Sequence, residues 1–292
     1  MGVNRLTFGM ERVSRYAVLR KWKISDALLC VLFFLINIPI YHADPFQRQF
    51  YVNDPTLSHP HATTQRVNEN ALLAYSLALP AIVIIVVTLL IADPKHKVYL
   101  LYVSLLGLIL SWTFTSLLTD YLKNWIGRPR PDFIARCKPK KGTPLDTLVT
   151  AADVCMTKNL PRLMDGFRST PSGHSSESFA GLGYLYLWLS GQLLTENPKV
   201  GYWRSIVAYG PLIGAATIAI SRTEDYRHHF VDVLLGSLIG LVIAYKTYFR
   251  NFPALSSEIP FKPLLDDSDV SLEAFHAINE VQDEEATPLR EA

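Results

Sequence analysis

Three polar clusters interrupt an otherwise apolar chain, and together they hold the parts of a phosphoryl-transfer site. Residues 123–131 read KNWIGRPRP, residues 171–174 read PSGH, and residues 221–233 read SRTEDYRHHFVDV. Lys123, Arg130 and Arg222 are cations that never lose their charge near neutral pH. Ser172 and Gly173 precede an apolar run, where a serine suits an N-cap and the first backbone N–H groups of a helix are unpaired. Cations beside a helix N-terminus make an anion site, and phosphate suits it best. His228 and His229 stand four and three residues before Asp232. Either spacing puts imidazole and carboxylate on one helical face, so spacing favours His228 only slightly. A carboxylate on one ring nitrogen would leave the other free to attack phosphorus and form a phosphohistidine. His174 would protonate the departing oxygen and then activate the water that clears the intermediate.

Blander readings exist for the same residues. Lys123 and Arg130, taken singly, read as snorkelling side chains at a helix end. Two histidines and an aspartate could ligate a metal, but the surrounding cations would repel a divalent ion. Both histidines could instead cap an interface.

The elements that must position these clusters are six apolar stretches, at about 25–41, 71–92, 98–122, 174–194, 203–220 and 230–249. Each is near the roughly 20 residues a helix needs to cross the hydrocarbon layer. Inside lipid only internally bonded backbone is stable, which predicts helices. The three clusters then fall at the end of helix three, the start of helix four, the end of helix five and the start of helix six. Counting passes puts all four ends on one membrane face, whichever way the chain is inserted.

The basic segment 1–24 predicts a cytosolic N-terminus by the positive-inside rule. Loops 42–70, 123–174 and 221–229 then face away from the cytosol. Loop 123–174 is itself rich in Lys and Arg, against that rule, although long loops translocate regardless of charge. The domain reading is a cytosolic segment 1–24, a six-helix domain 25–250 and a disordered acidic cytosolic tail 251–292, whose apolar residues are too sparse to fold alone.

Composition agrees with a membrane protein. The 292 residues are 49% hydrophobic and 18% charged, unlike a soluble enzyme. The net charge of +2 gives no reason to expect nucleic acid. Three cysteines without CxxC spacing exclude the common zinc sites. Cys137 and Cys155 share one polar loop, and a lumenal setting would permit a disulfide between them. The first apolar run lacks a small-residue cleavage site and reads as a retained signal anchor. Leu6 stands where a myristoylation motif needs Ser or Thr.

The patterns KxxxxxxRP at 123–131, PSGH at 171–174 and SRxxxxxHxxxD at 221–232, in this order, resemble the type 2 phosphatidic acid phosphatase family, the lipid phosphate phosphatases. The resemblance spans roughly residues 20–250. It implies an all-α polytopic bundle of six transmembrane helices, of the acid phosphatase and vanadium haloperoxidase type. It implies His228 as nucleophile, Asp232 as its orienting partner and His174 as general acid, with Lys123, Arg130, Ser172, Gly173 and Arg222 holding phosphate. It implies a reaction needing neither metal nor cofactor, on a phospholipid drawn from the bilayer. The stretches FRSTPSGHSSESFAGLGYLY and SRTEDYRHHFVDV point within the family to members that remove the β-phosphate of diacylglycerol pyrophosphate and then dephosphorylate phosphatidate. They imply an endomembrane, the vacuole foremost, with the site on its lumenal face. A polyisoprenoid diphosphate such as the dolichyl carrier is the alternative substrate, and a non-catalytic lipid-binding protein the alternative class. Oligomeric state is not legible in the sequence.

Overall fold

A computed structural model describes residues 15–268, together with Thr7 and Met10. The acidic stretch beyond Ser268 lies outside the described residues. Six long helices dominate, and we label them in chain order: α1 (Ile24–His42), α2 (Glu69–Ile91), α3 (Lys97–Ile126), α4 (Gly173–Gln192), α5 (Trp203–Glu224) and α6 (Phe230–Phe249). Shorter helices at Phe133–Cys137, Ala151–Val154 and Leu160–Asp165 lie in the segment between α3 and α4. The chain is an all-helical integral membrane protein. The described residues form isolated bridges, at Phe50 with Val149 and Pro139 with Cys155, rather than a sheet.

Five of the six helices are long and apolar enough to cross a membrane. The exception, α4, is rich in Gly and Ser, and it is the helix around which α2, α3, α5 and α6 pack. Its composition follows from that position. Lipid-facing helices must be apolar, whereas a helix enclosed by others gains more from small residues that let backbones approach. Gly181 shows the constraint: a Cβ there would lie 1.6 Å from the Ser76 carbonyl oxygen of α2. Hydroxyls tie α4 to α3 where the contacts are closest. Ser111 Oγ donates to the Ala180 carbonyl at 3.0 Å, Thr119 and Ser176 share a hydrogen bond of 2.8 Å, and Trp188 Nε1 donates to Ser104 Oγ at 2.8 Å. α2 contains a π-helical turn at Ala74–Ala78, where it passes α4.

The segments 43–68 and 128–170 pack on each other as a small cap over one end of the bundle. Their core includes Phe50, Leu57, Phe133, Val154, Leu163 and Phe167. Phe133 meets Phe50 and Phe167 with ring centroids 4.8 and 4.6 Å apart. Cys137 and Cys155 are joined by a disulfide within this cap.

The first residues of the stretch expected to be a tail are packed. Residues 251–268 fold back against the opposite end of the bundle, with Asn251 and Phe252 buried. Gln192 Nε2 donates to the Phe261 carbonyl at 3.2 Å, and His96 pairs with Asp266 at 3.1 Å. Composition hid this because the anchoring apolar and polar residues are few and far apart in sequence.

Candidate active site

The helix ends predicted to converge do so. A cavity of about 310 Å³ under the cap is lined by Lys123, Arg130, His174, Arg222 and His228, and also by Gln65, Glu69, Asp120, Asp165, Arg168 and Arg227. Both histidines and all three expected cations therefore face one space, drawn from the C-terminal ends of α3 and α5, the start of α4 and the turn before α6.

α3 ends at Gly127, whose left-handed φ of 60° receives the chain reversal that aims Arg128 and Arg130 back under the cap. Arg130 NH2 donates to Asp165 at 2.8 Å, yet its Nε is buried without a partner. Arg222 is 1% exposed and donates to Asp225 at 2.7 Å and to Gln65 at 2.8 Å. Lys123 stands 3.8 Å from Asp120. Ser172 is the N-cap of α4, its Oγ accepting from the Ser175 N–H at 3.4 Å. It is fully buried and shapes the helix start, whereas His174, two residues on, lines the cavity. A Cβ at Gly173 would sit 2.6 Å from Lys123 Nζ, so a larger residue there would displace the lysine head.

His228 Nδ1 lies 2.7 Å from the Ser169 carbonyl oxygen. A carbonyl only accepts, so Nδ1 carries the proton and Nε2 keeps its lone pair. This corrects one expectation. Asp232 does not bond the His228 ring; it accepts from Arg128 at 2.9 Å, from Ser169 Oγ at 2.6 Å, from Thr170 Oγ1 and from the backbone N–H of His229 at 3.0 Å. The reason is local. His229 is the N-cap of α6, with extended backbone, so His228 lies outside the helix and the four-residue helical spacing does not apply to it. Asp232 reaches His228 only through Ser169, holding its hydroxyl while its carbonyl holds the ring. His229 bonds the Pro129 carbonyl at 3.3 Å and does not line the cavity.

His174 Nε2 lies 3.1 Å from the carbonyl of Val67. Gln65 and Val67 belong to the segment before α2, and Glu69 opens that helix; this stretch folds over the cavity. Arg66 fixes that segment through its N–H, which donates to Asp225 at 3.0 Å, and through a salt bridge of 2.7 Å to Glu224. No motif in the chain signals this contribution. Two His–carboxylate and His–aromatic pairs near it, His61 with Asp132 at 2.6 Å and His59 stacked on Tyr226, would have needed the fold to be seen.

Charge around the cavity is unbalanced. Five cationic and three carboxylate side chains line it. Burial, then Arg130 and Lys123, push the His228 ring pKa well below its ordinary value, keeping it neutral. Burial alone would raise the Asp165 carboxyl, but Arg130, Arg136 and Arg227 outweigh it and hold it down at about 2. No three His, Cys, Asp or Glu side chains gather into a metal-binding group among the described residues.

A buried, positively biased pocket with two imidazoles, set at one end of a membrane bundle, defines a phosphate-handling integral membrane protein. Residues 104–253 match the PAP2 superfamily, and the chain belongs to that family. It is 58% identical over 269 residues to diacylglycerol pyrophosphate phosphatase 1 of Saccharomyces cerevisiae, covering 92% of this chain and 93% of that one. It is 42% identical to the probable diacylglycerol pyrophosphate phosphatase 1 of Schizosaccharomyces pombe, over 72% of this chain and 74% of the relative. Lipid phosphate phosphatase 2 of Arabidopsis thaliana is 34% identical, over 80% of this chain and 78% of the relative. No solved structure matches the chain.

Proposed function

We infer that this chain is a membrane-embedded lipid phosphatase that hydrolyses diacylglycerol pyrophosphate to phosphatidate and inorganic phosphate, and then phosphatidate to diacylglycerol. The observation that carries the reading is the single cavity in which His174 and His228 meet Lys123, Arg130 and Arg222. The relatives' substrates supply the lipid class.

In this reading His228 Nε2 attacks the terminal phosphorus. A P–N bond forms, the bond from phosphorus to the bridging oxygen breaks, and phosphatidate leaves with the electron pair. The substrate's negative charge favours the doubly protonated His174 ring, whose Nε2–H turns from the Val67 carbonyl to the departing oxygen and gives up its proton there. Neutral His174 then takes a proton from water, the water oxygen attacks phosphorus, and the P–N bond breaks to release phosphate and restore His228. Lys123, Arg130 and Arg222 stabilise the equatorial oxygens as charge redistributes. Asp232 is a positioning residue, acting through Ser169. With phosphatidate the departing group is the glycerol oxygen, and the same steps apply.

The cap disulfide supports an oxidising compartment on the site's side of the membrane. The basic residues Arg15, Arg20 and Lys21 before α1 support a cytosolic N-terminus. Together they favour a lumenal active site in an endomembrane, the vacuole included.

The test is phosphate release by purified protein from diacylglycerol pyrophosphate in detergent micelles containing EDTA, with His228→Ala beside it. Release by the wild type and none by the variant is expected. A fully active His228→Ala would end the phosphohistidine mechanism, and much faster release from a polyprenyl diphosphate would reassign the substrate.

A further inference from the structure

Three of the five cations around the cavity have a role in the transfer just described; Arg168 and Arg227 have none. Of these two, Arg168 is the one without a carboxylate partner. Lys123 lies by Asp120, Arg130 and Arg227 by Asp165, and Arg222 by Asp225. Among the described residues no carboxylate comes within salt-bridge distance of Arg168. Its NH2 donates to two backbone carbonyls at the end of α1, those of Tyr41 at 2.8 Å and Ala43 at 2.5 Å, and its guanidinium lies 5.7 Å from the Tyr41 ring centroid. Its Nε is buried and has no hydrogen-bond partner. An arginine held by neutral acceptors, with a spare donor and an unmatched charge, is set to receive an anion.

Its place in the cavity says which anion. Tyr41, Pro161, Asp165 and Arg168 line both the catalytic cavity and an outer groove of about 820 Å³ that runs between the end of α1 and the cap. Arg168 thus stands at the mouth, with His228 deeper inside. The groove's far wall carries Leu160, 60% exposed, and Met164, facing the end of a membrane helix. A lipid whose terminal phosphate reaches His228 must thread its glycerol and chains back through that mouth. In a diphosphate head group the α-phosphate lies one bridging oxygen behind the reacting phosphorus, on the side of the mouth where Arg168 stands. A monophosphate lipid places an uncharged glycerol carbon there instead.

We propose that Arg168 is the α-phosphate site and sets the preference for a diphosphate over a monophosphate head group. The proposal rests on the lipid phosphatase reading above and adds the residue that separates its two substrates. A charge-assisted hydrogen bond lost at such a position corresponds to roughly 10- to 100-fold.

The experiment compares wild type and Arg168→Gln for kcat/KM on diacylglycerol pyrophosphate and on phosphatidate, each in the same micelles. The variant is expected to lose at least about 10-fold on the diphosphate and no more than about 3-fold on the monophosphate. Loosening of the α1 end alone, through the Tyr41 and Ala43 contacts, would lower both rates together, and equal losses overturn the proposal. So does an unchanged ratio. Inhibition by methylenediphosphonate should weaken in the variant by a similar factor, with inhibition by inorganic phosphate changing little; parallel changes count against the subsite. If Arg168→Gln is not recovered folded, Arg168→Lys reads the same ratio, with a shift of about 3-fold expected and none overturning the idea. A wild type that hydrolyses neither lipid would remove the functional reading itself, whereas a wild type that hydrolyses both with no shift in the variant removes only the role of Arg168.

Discussion

The two ends of the helical bundle both gather charged side chains, and they use them differently. At the end away from the cap, charges are matched. Arg250 forks onto Asp26 with contacts of 2.8 and 3.0 Å, Lys23 donates to the Arg250 carbonyl at 3.0 Å and to Asn251, and Lys21 pairs with Asp267. Burial, aided by Arg250 and opposed by Asp26, pulls Lys23 down to about 8. These contacts tie the start of α1 to the end of α6 and to the segment after it. Under the cap, cations outnumber carboxylates, and the Nε atoms of Arg130, Arg168 and Arg227 are buried without partners. Matched charges staple elements together, whereas a surplus of donors around an open cavity suits a protein that binds an anion. Pairing, rather than the kinds of residue present, separates structure from function here.

That contrast sets the size and kind of effect each mutation should have. At the capped end, His228→Ala should lower kcat/KM on diacylglycerol pyrophosphate by at least about 10³-fold while the protein stays folded, since the attacking atom is gone. His174→Ala should cost about 10²- to 10⁴-fold, the range of a positioned acid, and a leaving group of lower pKa should recover part of it. Substitution of Cys137 by Ala, or reduction of the disulfide, should destabilise the cap by about 2–4 kcal/mol in thermal unfolding, because the bridge closes an 18-residue separation. Peptide mapping without reductant should recover the two cysteines linked, and free thiols would contradict the fold of the cap.

At the opposite end, Asp26→Asn should lower stability by about 1–3 kcal/mol and leave turnover per folded molecule unchanged. A catalytic defect in that variant would show that the two ends are coupled. The smallest effect concerns pH. The folded His228 ring is held neutral well below the ordinary histidine pKa of 6.5, whereas the unfolded chain takes up a proton near that value. The unfolded state therefore binds more protons below pH 6.5, so stability falls as pH drops from about 6.5 towards the folded pKa. His228→Ala should flatten that slope by up to about 1.4 kcal/mol per pH unit. An unaltered slope would mean that the ring is not buried neutral.

Much of this was readable from the chain. The apolar stretches marked all six long helices to within a few residues at most ends, because exclusion from water and from lipid-exposed backbone polarity is a property of composition and length. The stretch at 174–194 was found even though α4 is the least apolar of the six. Its central position was not legible, since Gly and Ser report close packing only when the packing partner is known. The motifs KxxxxxxRP, PSGH and SRxxxxxHxxxD named Lys123, Arg130, His174, Arg222 and His228, which line the cavity, together with Ser172, Gly173 and Asp232, which do not. They misled on the partner of His228, because spacing read as helical crossed a helix boundary at His229. The cover formed by Gln65, Val67 and Glu69, the salt bridges to Asp165 and the packing of 251–268 had no local signal at all.

By itself, then, the sequence determined that the chain folds into long apolar helices fit for a bilayer, where those helices begin and end, and which imidazoles and cations stand at their ends. Each of these follows from hydropathy, length and chain order, which are local quantities. Only the tertiary structure decided which nitrogen of His228 is free, which carboxylates neutralise which arginines, and that Arg168 is left unmatched at the cavity mouth. Those depend on ångström-scale distances between segments far apart in the chain, and electrostatic and hydrogen-bond energies change steeply over such distances.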